Sequence, residues 1–289
     1  MRPAMDCFLC DAPMRPDVLE GAFRCPACGL YRSDFPVAIN LAEDDRLDEA
    51  RRERALKPLR VANFSRLIAA CRPHLPAGAS LLDVGCAHGW FLQAAAEAGY
   101  RATGLEPDRE VAARAADVEG APVIQGFFPD ATPAGATYDA ISFNDVFEHL
   151  PDPHAMAEAV RERLKPGGLL ILNLPLAEGA VFRLARIAGR LGLRGPLGRM
   201  WQQGLPSPHL AYYSADTLLR LMAAHGFTPV ARGRLASMTT RGLWPRIRYD
   251  RSVSAPMAAA LYLAAVGLTL ASALLPPDIG YFILRRTET

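Results

Sequence analysis

The middle of the chain alternates short apolar runs with stretches in which apolar residues recur every three or four positions. The apolar runs predict strands at 80–84, 101–105, 123–125, 138–143 and 168–174, and the periodic stretches predict helices at 90–98, 108–117 and 154–164. Strands that alternate with helices form a parallel sheet covered on both faces. Two later strands, near residues 227–235 and 280–285, are expected to complete the same sheet. We therefore expect an α/β domain over residues 76–289.

Residues 34–75, which precede this domain, are charged and punctuated by prolines. They predict one helix at 47–57 and a second at 59–71. The second helix carries an apolar stripe formed by Val61, Phe64, Leu67 and Ile68. A stripe of this spacing packs against a neighbouring core, so we expect a helical linker that lies against the α/β domain.

An insertion at residues 180–204 has a basic amphipathic pattern. Four arginines recur in it at spacings of three or four, Arg183, Arg186, Arg190 and Arg194, and are interleaved with Phe182, Leu184, Ile187 and Leu191. Such a helix can lie on an anionic membrane surface or cap an acidic acceptor, and it can equally be a solvated lid over an active site.

A second insertion, at residues 252–277, contains an uncharged apolar run from 255 to 275. Its length meets the criterion of ~20 residues for crossing a bilayer. One crossing would separate the strand at 280–285 from its sheet. We therefore expect either an interfacial hairpin that turns near Gly267 and contacts the membrane, or a helix buried between two copies of the chain.

Composition narrows the function classes. Of the 289 residues, 51% are hydrophobic and 21% are charged, and the net charge is +2, as in a folded globular protein without a polyanionic partner. The first residues contain no apolar signal region, so we expect a cytoplasmic protein, peripheral at the inner face of the membrane if the two insertions contact it. Disulfides are not expected in that compartment.

Four cysteines near the N-terminus have the spacing of a metal site. Cys7 and Cys10 form one C-x2-C pair, and Cys25 and Cys28 form another, with Gly29 after the last cysteine. Two such pairs can direct four thiolates at one tetrahedral Zn²⁺. Since every coordination position is then a thiolate, the zinc would be structural. We expect a zinc ribbon over residues 1–33, in preference to a redox C-x-x-C motif.

The first strand of the α/β domain ends at a turn of small residues. Gly85, Ala87 and Gly89 let a ligand approach the backbone, and the following helix offers free N–H groups. Glu106 lies twenty-one residues after Gly85, at the end of the second strand, where a carboxylate can accept both hydroxyls of a ribose. This combination indicates a nucleoside cofactor.

Four ordered segments, at 83–89, 104–107, 138–141 and 164–175, resemble the motifs of class I S-adenosylmethionine-dependent methyltransferases. The resemblance implies a Rossmann-like, doubly wound sheet of seven strands, the last antiparallel, and S-adenosyl-L-methionine as cofactor. Residues 145–153 and 209–218 resemble more narrowly the ubiquinone-type O-methyltransferases and those of bacterial glycan and secondary-metabolite clusters. Some glycan-cluster members also carry a cysteine ribbon in front.

The resemblance also implies the site residues. This chain differs from the family pattern at two positions: Ala87 replaces the usual glycine, and His88 replaces a small residue. The His88 imidazole is therefore expected beside the methionine portion of the cofactor. We expect cofactor contacts from Asp83, Gly85, Cys86, Ala87, His88, Gly89, Glu106, Pro107, Phe127, Asn144 and Asp145.

Methyl transfer from a sulfonium is an in-line displacement, so the protein aligns the acceptor and removes its proton. His149 is the first candidate for that general base and His209 the second, because imidazole titrates near neutral pH. His149 can equally serve only to fix its loop. The expected acceptor is a small molecule, a glycan or a lipid-linked molecule.

Three other functions compete with this prediction. An rRNA base methyltransferase with a zinc ribbon is disfavoured by the weak net charge, and residues 144–147 lack the Asn-Pro-Pro-aromatic motif of base-amine methylation. Nucleic acid is therefore not the expected partner. A non-catalytic zinc-ribbon binding protein is suggested only by Ala87 and His88. A nicotinamide oxidoreductase is disfavoured, because residues 148–149 and 165–168 would have no role in such an enzyme.

Overall fold

A computed structural model describes residues 5–39, 49–115, 120–239, 243–248, 253–271 and 274–288. The strands are β1 (Arg15–Pro16), β2 (Ala22–Arg24), β3 (Tyr31–Ser33), β4 (Ser80–Val84), β5 (Arg101–Glu106), β6 (Val123–Gln125), β7 (Tyr138–Asn144), β8 (Leu164–Pro175), β9 (Ala211–Tyr212), β10 (Phe227–Leu235) and β11 (Ile279–Arg286). The helices are α1 (Glu49–Cys71), α2 (Trp90–Glu97), α3 (Arg109–Ala115), α4 (Pro153–Arg163), α5 (Ala180–Arg190), α6 (Gly195–Met200), α7 (Ala215–Ala224), α8 (Leu243–Arg248) and α9 (Ala255–Ala271). A single 3₁₀ turn spans Phe147–His149.

The main sheet has seven strands in the order β10-β11-β8-β7-β4-β5-β6. β4 pairs in parallel with β5 on one side and with β7 on the other, whereas β11 is antiparallel to both of its neighbours. The predicted α/β fold, with an antiparallel last strand, is therefore confirmed. The strand order reverses between β4 and β7, which is where ligands bind in open α/β sheets, beyond the carboxyl ends of the strands.

Most predicted boundaries agree with the structure to within one residue. The largest difference is at β8, which begins at Leu164 instead of residue 168 because Leu164 pairs with Tyr138 ahead of a register shift. The preceding helix consequently ends at Arg163. The predicted helix at 108–117 is seen as α3, and residues 116 and 117 lie outside the described part of the chain.

The two helices predicted before the main domain form one helix, α1, and this prediction was wrong. Pro58 lacks an N–H donor, yet the helix continues through it because its C-terminal half is packed against the core. Phe64 meets Phe91 of α2 with ring centroids 5.5 Å apart, and Leu67 and Ile68 are buried beside them. Val61, predicted for the same stripe, is exposed.

The N-terminal ribbon shares a sheet with the α/β domain. β1, β2 and β3 are joined by β9, which the chain supplies from between α6 and α7. An ion pair of 2.7 Å between Arg186 on α5 and Asp17 adds a second link. Aromatic rings pack between the two parts, including Tyr31, Phe35, Phe182, Trp201 and Tyr212. The ribbon is therefore fixed to the domain that follows it.

The apolar insertion forms α9, which continues without a break through Gly267, so the predicted hairpin turn at that residue was wrong. Glycine is tolerated inside a helix at a cost of about 1 kcal/mol, and the neighbouring alanine and leucine residues are strong helix formers. Among the described residues, no helix has both the length and the apolar character required to cross a bilayer.

Candidate active site

The turn after β4 has the left-handed backbone that its glycines permit. Gly85 and Gly89 have φ angles of 70° and 72°, and Ala87 has 47°. A Cβ on Gly85 would lie 2.6 Å from the Val146 side chain, so only glycine fits between the turn and the loop after β7. The N–H groups of Gly85 and Cys86 donate to the Leu105 carbonyl at 2.7 and 3.1 Å, which fixes the turn to β5.

Glu106, at the end of β5, is in direct contact with this turn. One carboxylate oxygen accepts the Ala87 N–H at 2.9 Å and the other accepts the Asp108 N–H at 3.0 Å. Burial raises the pKa of Glu106, although both backbone hydrogen bonds oppose that shift. Since each oxygen has a second lone pair, the carboxylate can also accept two ribose hydroxyls. Pro107, next in the chain, is half-buried.

Asp83 is buried between β4 and β7. Its Oδ1 atom accepts the Ser142 hydroxyl at 2.7 Å and the Asn144 amide at 2.8 Å, and burial raises its pKa to about 7. Both donors are on β7, so these hydrogen bonds connect the end of β4 to the end of β7. Asp83 therefore supports the ligand edge by joining the two strands.

The remaining predicted cofactor residues differ in accessibility. Cys86 is buried, with its thiol packed beneath Gly104, so it offers a ligand only its backbone. His88 is half-buried and stacks on Trp90 with ring centroids 4.7 Å apart. Phe127 is 56% exposed, which leaves its ring available to a flat ligand such as adenine.

Asp145 has a positive φ of 53° at the carboxyl end of β7, and its carboxylate forms an ion pair with Arg60 of α1. Arg60 is a contact of the site that the sequence did not predict. No periodic or motif signal connects a linker arginine to a loop 85 residues later. This ion pair brings α1 to the ligand edge of the sheet.

The two histidines predicted as general bases lie together, with ring centroids 4.7 Å apart. Burial lowers the pKa of both, so each imidazole is neutral at neutral pH. The Nδ1 atom of His149 lies 2.8 Å from the Pro208 carbonyl, which can only accept, so Nδ1 carries the proton. The Nε2 atom of His149 therefore has the free lone pair that a base requires. His209 Nε2 lies 2.9 Å from the Gln202 amide.

Glu148 is the main residue that sequence reasoning missed. Its Oε1 lies 4.0 Å from His149 Nε2 and 3.9 Å from His209 Nε2, a set of three groups that could hold a metal ion. Neither carboxylate oxygen has a hydrogen-bond partner among the described residues, and burial raises the pKa of Glu148 to about 8. It is therefore mostly protonated at neutral pH. The sequence shows its neighbour His149 but not this burial.

We expect Glu148→Gln to stabilise the protein increasingly as the pH rises. The folded pKa of about 8 exceeds the usual 4.5, so the folded state holds a proton that the unfolded state has lost. Wild-type stability therefore falls as the pH rises between these values, by up to about 5 kcal/mol, and a glutamine avoids that loss. Denaturant unfolding at pH 5 and pH 8.5 measures it. The exposed Glu158→Gln is the control, and equal pH slopes for wild type and Glu148→Gln would contradict the burial argument.

The four predicted zinc ligands are brought together. The Sγ atoms of Cys7 and Cys28 are 3.5 Å apart, as are those of Cys10 and Cys25, and all four lie within 4.8 Å of one another. Tetrahedral zinc with Zn–S bonds of about 2.3 Å needs sulfur atoms about 3.8 Å apart. Burial opposes ionisation of Cys25, but hydrogen bonds, led by the Cys28 N–H, lower its pKa to about 6. The thiols therefore fit a structural zinc ion.

Comparisons with known proteins agree with this geometry. The family model described as a methyltransferase domain matches residues 50–232. A ubiquinone biosynthesis O-methyltransferase of Xanthomonas axonopodis pv. citri is 35% identical over 135 residues, 45% of this chain and 56% of that protein. The chain thus spans little more than half the length of that curated relative.

Solved structures share the fold at low sequence identity. The cyclopropane synthase MmaA2 from Mycobacterium tuberculosis has a TM-score of 0.53 at 20% identity, covering 86% of this chain and 89% of that one. The mycolic acid cyclopropane synthase CmaA1, solved with SAH and CTAB, has a TM-score of 0.57 at 16% identity, covering 84% and 90%. With a family model that matches more than half of its length, the chain belongs to the methyltransferase domain family.

Proposed function

We propose that this protein is an enzyme that transfers the methyl group of S-adenosylmethionine to an oxygen atom of a small-molecule, glycan or lipid-linked acceptor. The observation that carries the proposal is the hydrogen bond between the Ala87 N–H and the Glu106 carboxylate. It joins the glycine turn and the acidic strand end, the two elements that bind a nucleoside, at the point where the strand order reverses.

The residues that would hold the cofactor fit its chemistry. Glu106 would accept the ribose hydroxyls, the turn at 85–89 would receive the methionine portion, and Phe127 would flank the adenine. When bound, S-adenosylmethionine supplies an electrophilic methyl group on a sulfonium. The protein's part is to align the acceptor oxygen in line with that methyl and to exclude water.

His149 is the proposed general base. Its Nδ1–H is held by the Pro208 carbonyl, so the Nε2 lone pair can take the proton of an acceptor hydroxyl. Its lowered pKa keeps it unprotonated at neutral pH. The protonated Glu148 beside it adds no negative charge that would raise this pKa. His209 would help to orient the His149 ring, and its own position is fixed by its contact with Gln202.

Oxygen is proposed as the acceptor atom because the matched relatives are named ubiquinone biosynthesis O-methyltransferases. The net charge of +2 supports a small or lipid-linked acceptor in preference to a nucleic acid. We further propose one structural zinc ion on Cys7, Cys10, Cys25 and Cys28, since their sulfur spacing suits tetrahedral thiolate coordination.

Cofactor binding is tested by calorimetry with S-adenosylmethionine and a Glu106→Gln variant. We expect wild type to bind and the variant to bind about 10- to 100-fold more weakly, because each hydrogen bond to a charged group contributes about 1.5–3 kcal/mol. Glu97→Gln, at an exposed position on α2, is the matched control. If folded wild type fails to bind, the cofactor assignment is wrong.

The acceptor class is tested by incubating wild type and Glu106→Gln with methyl-labelled S-adenosylmethionine and a bacterial extract. The extract is then separated into lipid, glycan, small-molecule and RNA fractions. We expect label in one of the first three fractions with wild type, and much less label with Glu106→Gln at the same concentration of S-adenosylmethionine. Label confined to RNA would rule out the proposed acceptor class and leave the cofactor assignment standing.

A further inference from the structure

Helix α9 presents an apolar surface that the rest of the described chain does not cover. It has no charged residue along its 17 positions. Ala258 is buried, whereas Met257, Leu261 and Leu263 are exposed, Leu263 to 71%. Exposed apolar surface of this extent is unfavourable in water and marks a site of interaction.

The exposed positions are spread around α9 instead of forming one stripe. At 100° per residue, the exposed positions between 255 and 267 cover about two thirds of the helix circumference. Contact with a partner protein, or with a second copy of this chain, covers one face of a helix and leaves the others in water. Lipid can cover all of the exposed positions at once.

An aromatic pair stands at the side of α9 that faces the protein. The ring of Trp244 on α8 is 44% exposed and meets Tyr262 edge-on, with centroids 5.9 Å apart. Tryptophan and tyrosine concentrate at the boundary between membrane and water, because their rings are apolar and carry a polar group. The pair would therefore lie at headgroup level when the outer face of α9 is in lipid.

A cavity of about 220 Å³ is lined by residues from α1, from the end of β10 and from 275–278, the segment that precedes β11. Arg66 and Arg234 contribute to its lining, together with Ser237 and Asp278. The Asp278 carboxylate already accepts the Val181 N–H at 2.7 Å and the Ser237 hydroxyl at 2.8 Å. Two guanidinium groups in the lining of one cavity suit the phosphate of a lipid headgroup.

Helix α5 extends this surface, because the contact between Val181 and Asp278 starts it at the same cavity. Leu184 and Ile187 are each half-exposed along it, next to the exposed Arg183 and Arg190. Two residues that were predicted for the exposed face of this helix are not on it. Arg186 forms an ion pair with Asp17 of the ribbon, and Phe182 is buried. The face that remains is still basic and apolar.

We propose that α9 and the outer face of α5 dock this protein onto a bilayer that contains anionic phospholipid, with α9 lying in the interface and a lipid phosphate at Arg66 and Arg234. The residues of this docking surface are different from those proposed for methyl transfer, and the docking does not depend on the identity of the acceptor. It would bring the protein to molecules that are themselves held in the membrane.

The test is sedimentation of the full chain with vesicles of phosphatidylcholine alone or of phosphatidylcholine mixed with phosphatidylglycerol. We expect wild type to pellet with the mixed vesicles. The Leu261→Asp/Leu263→Asp double variant should bind about a hundredfold more weakly, because carboxylates are excluded from hydrocarbon. Arg66→Gln/Arg234→Gln should keep the apolar binding and show a weaker preference for anionic vesicles, because the exposed Arg183 and Arg190 of α5 remain. Val37→Asp, an exposed apolar position on the ribbon side, is the matched control.

A measurement on wild type covers the case in which the aspartate variant does not fold. Brominated acyl chains should quench the fluorescence of Trp244, and Trp244→Phe should remove that part of the quenching. Wild type that remains in the supernatant with both vesicle types overturns the proposal. A lipid-free dimer that is lost in the aspartate variant also overturns it, since α9 would then be a contact between two copies.

Discussion

Removal of the proposed zinc ion from the ribbon is expected to abolish methyl transfer while leaving S-adenosylmethionine binding within a few-fold of its original affinity. A structural zinc ion on thiolates contributes about 10–16 kcal/mol of apparent binding free energy, so a ribbon of this size should unfold without it. β3 would then separate from β9. The Ser33 hydroxyl, which donates to the His209 carbonyl at 2.7 Å, would release the segment that carries His209 and Pro208.

The cofactor residues lie on other elements. The turn at 85–89 and Glu106 are held by pairing of β4 with β5 and β7, so their geometry should survive loss of the ribbon. Methyl transfer and S-adenosylmethionine binding are measured on Cys25→Ser and on chelator-treated wild type, after the zinc content of each has been determined. Cys71→Ser, at a cysteine outside the ribbon, is the control for thiol loss. Full activity in zinc-free protein would show that the ribbon does not position the acceptor side of the site.

His149→Ala is expected to lower kcat by about 10²–10⁴, the usual contribution of a general base. The KM for S-adenosylmethionine should change little, because His149 is proposed to act on the acceptor and not on the cofactor. In wild type the base must be neutral, and burial lowers the His149 pKa below its ordinary value of 6.5. Activity should therefore persist through pH 6.5 and fall only in more acidic solution. This acidic decline should be missing in the variant.

Steady-state kinetics across pH, on wild type and variant, measure both effects. His74→Ala, beyond the end of α1, controls for loss of an imidazole elsewhere. His209→Ala should produce a smaller loss if His209 only orients its neighbour. A kcat for His149→Ala within a few-fold of wild type would restrict His149 to fixing its loop.

The sequence was sufficient for features that repeat or are local. Strands such as β4 and β7 were predicted because short, largely apolar runs of strand length alternate with helical stretches. The turn at Gly85 was recognised because a backbone with positive φ angles and a close neighbour requires glycine at that position. Glu106 could be placed beside the turn because parallel strands end at the same edge of a sheet.

Features that depend on long-range packing were missed. β9 has two residues, too few for a periodic signal, and its partner β3 is about 180 residues away. Val61 and Phe64 share a helical stripe, yet Phe64 is buried against Phe91 whereas Val61 is exposed. The burial of Glu148 results from the approach of the segment at 207–213, and nothing in its own sequence neighbourhood indicates it.

The four-stranded sheet shared by the ribbon and β9 has a consequence for biosynthesis. Residues 15–33 leave the ribosome long before residues 211–212. Until β9 has been synthesised, β3 is therefore an unpaired edge strand of the nascent ribbon. Unpaired edges recruit other strands and promote aggregation. Fragments that stop short of Tyr212 should therefore be poorly soluble even when zinc is supplied, and expression of the N-terminal ribbon as a separate unit would require its distant fourth strand.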